Sequence, residues 1–90
     1  MKISKLLKLL RVYNGVLQRD MAKRLKKYAS HVSRLEKGER SVSLEVINEY
    51  CDMAGIKLSD FFRIIEESDD SANIIELRGY INTRVGGDPQ

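Results

Sequence analysis

The chain has one cysteine and one histidine in 90 residues. A single cysteine cannot close an intramolecular disulfide, which suits a reducing cytoplasm. With one histidine beside it there is no Cys/His cluster of the kind that holds zinc, so no metal is expected. Neither a glycine-rich phosphate loop nor a nucleophile motif occurs. The acids of the second half are spaced like solvated helix faces. An enzyme is therefore not expected, and neither is a cofactor. No apolar run approaches the roughly 20 residues needed to cross a bilayer. The opening MKISKLLKLLRVY is interrupted at helical spacing by Lys5, Lys8 and Arg11, so it has no clean signal-peptide core. An amphipathic basic helix can also lie on a membrane. Here the helices that follow offer its apolar face a protein partner, and no membrane contact is expected. Internal repeats and low-complexity tracts are absent as well.

What is present is charge, unevenly placed. Apolar residues make up 42% and charged residues 32%, ordinary values for one globular domain. The net charge of +3 hides a division. Residues 1–40 carry twelve Lys or Arg against three acids, a balance of +9. Residues 41–90 carry four against ten, a balance of −6. That asymmetry points to a polyanion at the N-terminal half, with the other half facing away from it.

Periodicity predicts helices throughout. Ile3, Leu6, Leu7 and Leu10 form an i, i+3, i+4, i+7 stripe over residues 3–14, closed by Asn14-Gly15. A second helix is read over 18–26 and a third over 29–37, which stops at Gly38. Ser43 is placed to cap a fourth helix, with Glu45 favourable in its first turn. Leu44, Ile47, Tyr50 or Cys51, and Ala54 are its buried stripe, and Gly55 ends it. Cys51 reads as a small buried hydrophobe. Leu58 or Ser59 opens a fifth helix with Phe61, Phe62 and Ile65 turned inward. Ser68-Asp69-Asp70-Ser71 is an acidic break. Residues 73–85 fit a helix capped by Asn73, or a strand; helix is the preferred reading. The final GGDPQ is expected to fray.

The stretch Gln18 to Arg40, QRDMAKRLKKYASHVSRLEKGER, organises the rest. Met21, Ala22 and Leu25 form one narrow stripe, Val32 and Leu35 another, with an interruption between them. Two short helices meeting at a steep angle explain that pattern. The outward face of the second then holds Ser30, His31, Ser33, Arg34 and Lys37, hydrogen-bonding and cationic side chains of the types that meet base edges and phosphates. This stretch resembles the helix-turn-helix of the phage repressor and Cro-type (XRE-like) family. Gln18 falls on the glutamine that opens the first motif helix, and Ala22 on the small residue where the helices cross. Leu25, Val32 and Leu35 fall on core positions. Val32-Ser33-Arg34-Leu35-Glu36-Lys37-Gly38-Glu39-Arg40 is similar to the family's I-S-x-I-E-x-G-x-R exit. The likeness runs on, without a gap, to Phe61.

The resemblance implies duplex DNA as the partner. Gln18, at a helix N-terminus, would face a phosphate. The family often braces that glutamine with a polar side chain where this chain has Ala29, which can instead touch a thymine methyl. Ser30 and Arg34 match the positions that most often meet bases, with Arg34 suited to a bidentate contact to guanine or else to a phosphate. His31 and Ser33 are phosphate candidates or simply exposed; Lys37 and Arg40 are of phosphate-binding type. Lys27 and Arg24 are secondary candidates. The chain departs from the family at Lys26, where glycine is usual, so either the turn is strained or the helix runs on and the turn shifts by a residue. It departs also at Tyr28, where a capping residue is expected; Tyr28 packs under the turn, the preferred reading, or reaches a phosphate. In related repressors the positions of Arg11 and Glu36 often carry an ion pair that holds the recognition helix; two independent surface charges are the alternative.

These readings converge on an all-α, five-helix domain over residues 1–68, with an extension over 69–90 for dimerisation or a partner. The expected function is sequence-specific double-stranded DNA binding by a cytoplasmic homodimer that regulates transcription, as a repressor on a palindromic operator. The alternative is an antitoxin-type module that binds a small protein partner and also its own promoter.

Overall fold

The computed structural model describes residues 1–73, 75 and 77–79. Five helices follow one another: α1 Ile3–Tyr13, α2 Gln18–Leu25, α3 Ala29–Glu36, α4 Leu44–Ala54 and α5 Leu58–Glu67. Among the described residues there is no strand, and Ile75 and Leu77 to Gly79 are also helical.

The helix ends explain why the chain turns where it does. After each of α1 to α4 a residue with positive φ reverses the backbone: Gly15, Lys26, Gly38 and Gly55. Each end carries the same pair of hydrogen bonds. After α2, Lys26 N–H donates to the Lys23 carbonyl and Lys27 N–H to that of Ala22. This double closure satisfies carbonyls the helix leaves open. Lys26, at φ 59, is the one non-glycine with positive φ among the described residues. The helix does not run on: α2 ends at Leu25 and the turn falls at Lys26, where a lysine takes the left-handed conformation. At the other ends, Ser43 Oγ accepts from Val46 N–H at 3.2 Å and caps α4. Asp60 accepts from Lys57 N–H at 3.2 Å and holds the start of α5.

The core joins all five helices. Leu6, Leu7 and Leu10 of α1 meet Met21 and Ala22 of α2, Val32 of α3, Ile47, Tyr50 and Cys51 of α4, and Phe61 and Ile64 of α5. The helix α1 packs on α3 and α4, α2 crosses α3 and also reaches α4, and α4 carries α5. Both Tyr50 and Cys51 are buried, so the fourth helix turns two adjacent residues inward. Three expectations are corrected. Leu44, read as part of the α4 stripe, is 59% exposed because the first turn of α4 projects beyond the core. Phe62 is exposed; Phe61 and Ile64 take the inward positions of α5, and Phe62 lies one step round the helix with its ring edge-on to Phe61 at 5.4 Å. Tyr28 is 84% exposed and does not pack under the turn.

The segment after α5 returns to the domain. The Met1 amino group donates to the carbonyls of Ile65 at 3.0 Å and Ser68 at 2.6 Å. Lys2 N–H donates to Asp70 Oδ1 at 2.9 Å, and the Lys5 ammonium to the Asp70 carbonyl. Ala72 and Leu77 are buried, and Leu77 joins the core cluster. Burying a leucine side chain contributes about 1.5–3 kcal/mol, so this part of the extension is covered by its own chain. Ile75 remains 76% exposed. The apolar positions Ile74, Tyr80, Ile81 and Val85 lie outside the described residues.

Candidate nucleic-acid interface

The orientation of α3 follows from its sequence. Val32, Leu35 and Glu36 are its buried residues, at i, i+3 and i+4. The opposite face therefore carries Ser30, Arg34 and Lys37 at i, i+4 and i+7, and all three are exposed. His31 and Ser33 lie at the two margins of that face and are half-buried. Ala29 is exposed at the first position of the helix. Arg40 is exposed in the loop that follows Gly38. Gln18, half-buried, opens α2. The candidate residues thus come from one helix face, the loop after it and the start of the preceding helix.

A buried polar cluster holds α3 at this angle. Arg11 Nε and Nη2 donate to Glu36 Oε2 and Oε1 at 2.8 and 2.9 Å, a bidentate pair between α1 and the last residue of α3. Arg11 and Glu36 are only 8% and 7% exposed, so they are not independent surface charges. Arg11 Nη1 also donates to the Val16 carbonyl at 2.8 Å, fixing the loop between α1 and α2. Tyr50 Oη donates to Glu36 Oε2 at 2.7 Å. Gln18 Nε2 donates to Glu36 Oε1 at 3.3 Å. One carboxylate of α3 therefore gathers groups from three other helices. The hydrogen bonds to Glu36 raise the Arg11 guanidinium further above its ordinary value. Burial, then the bond to Glu36, pushes the Tyr50 phenol upward, so it stays a donor.

Two features of this cluster are not carried by the expectations from sequence. The brace for Gln18 that Ala29 cannot supply comes from Glu36, at the far end of the same helix. Tyr50 was legible only as a core residue. Its signal is that a buried tyrosine hydroxyl needs a partner, and Glu36 is the carboxylate within reach.

Cations gather at the margin of α3 around His31. The His31 imidazole is held below its ordinary value by loss of water contact and by the nearby cations Arg40, Lys27 and Arg34. Those three come from the loop, the turn and the helix, so the margin of α3 collects positive charge from three segments. Arg24 is instead engaged with Glu49 of α4, Nε to Oε1 at 3.3 Å, in a half-exposed pair. Among the described residues, no group of three His, Cys, Asp or Glu stands where it could hold a metal ion. Cys51 is buried, and burial, with Asp52 and Asp60 nearby, pushes its thiol up to about 11. No helix among the described residues is long and apolar enough to cross a membrane.

The comparison with protein families agrees with this geometry. A family model described as a helix-turn-helix domain matches residues 3–60, from the first residue of α1 to the first turn of α5. No curated protein matches the chain.

Proposed function

The chain belongs to the helix-turn-helix domain family, and from that premise we propose that it is a sequence-specific double-stranded DNA-binding transcriptional regulator, a repressor that acts as a homodimer on a palindromic operator. The observation that carries this reading is the exposed face of α3. Ser30, Arg34 and Lys37 line it, and the helix beneath it is held through Glu36 by α1, α2 and α4. A rigid helix with a hydrogen-bonding and cationic face suits base edges and the phosphates beside them. Arg34 is assigned to a base edge, with Ser30 and Ala29 beside it. Gln18, His31, Ser33, Lys37 and Arg40 are assigned to the backbone. The assignment includes no catalytic step, and it places the protein in the cytoplasm with its DNA.

A single recognition helix reads only a few base pairs, so a two-fold dimer on a palindrome is the economical solution. Support for a dimer comes from Leu44, 59% exposed at the start of α4 beside Leu58 at the start of α5. The antitoxin-type alternative draws on Ile75, an exposed apolar residue on the side of the extension away from its own core. Selection from a random duplex pool, followed by titration of the enriched sequence at several salt concentrations, tests the main reading. A palindromic consensus and a steep loss of affinity with salt are expected. Absence of duplex binding at low salt would overturn it. Co-purification with a second small protein would move the assignment to the alternative.

A further inference from the structure

Beyond the recognition face, a cleft of about 460 Å³ opens between the start of α1 and the loop after α3. Lys2 and Ser4 form one side, and Lys37, Gly38, Arg40 and Val42 the other. The two sides meet at Gly38, whose φ of 78 turns the chain and whose Cα lies beside Ser4. Three cations from two segments therefore share one opening, and no carboxylate lines it. Asp70 is nearby but meets Lys2 through the backbone amide. Among the described residues, the charged groups of Lys2, Lys37 and Arg40 enter no ion pair. The contrast with the other large cleft, about 420 Å³ between α2, α3 and α4, is direct: Glu45 and Glu49 line that one. Like charges gathered in one opening and held by no ion pair repel one another, and a polyanion relieves the cost.

We propose that this cleft seats the sugar–phosphate backbone of the bound duplex, with Lys2 as a phosphate contact contributed by the far side of the domain. The inference rests on the DNA-binding reading above and extends it. Its geometry is continuous with the recognition face. Lys37 is shared: it follows Ser30 and Arg34 on the outer face of α3 and also lines the cleft. A backbone strand running past Lys37 passes between Arg40 and Lys2. The contact carries no sequence information, because it meets phosphate alone.

The test is the salt dependence of duplex binding by the full chain and by Lys2→Ala, Lys2→Arg and Arg63→Ala. Arg63 is an exposed cation of α5 outside the cleft. Lys2→Ala should flatten the slope of log K against log salt by about 0.9 for each phosphate it no longer neutralises. Affinity should fall equally for selected and unrelated sequences. Lys2→Arg should keep the native slope, and so should Arg63→Ala. A native slope for Lys2→Ala, an equal flattening by Arg63→Ala, or a weakening confined to one sequence would each overturn the cleft assignment. If the unaltered chain binds duplex DNA and Lys2→Ala matches it, only the cleft falls. If the unaltered chain binds no duplex, the DNA-binding reading falls with it.

Discussion

Tyr50 donates its hydroxyl hydrogen to Glu36 at 2.7 Å, linking the middle of α4 to the last residue of α3. The same carboxylate oxygen accepts from Arg11. Glu36 is thus satisfied on every side in a place almost without water. A buried ion pair adds little over a well-packed apolar pair, but removing one partner strands the other. The cluster therefore acts more through the angle of α3 than through net stability.

The first prediction concerns that stranded charge. Arg11→Ala and Glu36→Ala should each cost about 3–5 kcal/mol. The double variant should lose less than the sum, because the second removal relieves the stranded charge. Tyr50→Phe should cost about 1.5–3 kcal/mol, the range for a hydrogen bond to a charged group. Urea unfolding of the four variants measures all of these, and additive losses would show that the charges do not couple.

Arg34 and Lys37 share a face but should differ in effect. Arg34→Ala should lose roughly 1–3 kcal/mol of discrimination at one base pair of each half-site, with unrelated DNA bound nearly as before. Lys37→Ala should weaken every sequence alike. Competition titrations with single-base operator variants separate the two; a uniform loss for Arg34→Ala would make it a phosphate clamp.

His31 supplies a pH dependence whose sign can be worked out. In the free protein its pKa lies below the ordinary 6.5. A phosphate at the margin of α3 would favour the charged imidazole and raise that pKa. Binding then takes up a proton, so affinity should rise as the solution is taken from neutral to mildly acidic. His31→Gln should flatten the profile. An unchanged profile in that variant would remove His31 from the interface.

Lys26 is strained by its left-handed backbone. Lys26→Gly should raise stability by about 1 kcal/mol, since an L-residue there costs more than glycine loses in chain entropy. Thermal unfolding reads the change, and a lower melting temperature would mean that the lysine side chain stabilises the turn.

The extension gives the last prediction. Leu77→Ala should cost about 2–5 kcal/mol, because Leu77 is 2% exposed in the common core. Ile75→Ala should change stability by less than about 0.5 kcal/mol, as an exposed position does. If Ile75 meets a second chain, its variant should instead weaken association, which sedimentation would detect. Truncation after Ser71 removes Leu77, so it should lower stability as well as any association.

Much of this was legible along the chain, because helix formation is largely local. Stripes at 3.6-residue spacing marked the faces of α1 to α3, and Gly15, Gly38, Gly55 and Ser43 marked ends and a cap within their own turns. The outward set of Ser30, Arg34 and Lys37 followed from the inward set of Val32 and Leu35. The Arg11–Glu36 pair came from family likeness, since nothing local links residues 25 positions apart. Tertiary structure decided the rest. Burial of a side chain depends on what packs opposite it, so Leu44 and Tyr28 are exposed although their residue types suit a core. Lysine at position 26 takes a glycine's left-handed conformation, which its residue type alone does not favour, and the two hydrogen bonds that close α2 run through it and Lys27. Glu36 serves Arg11, Tyr50 and Gln18 together because only the folded packing of four helices brings those groups to one carboxylate.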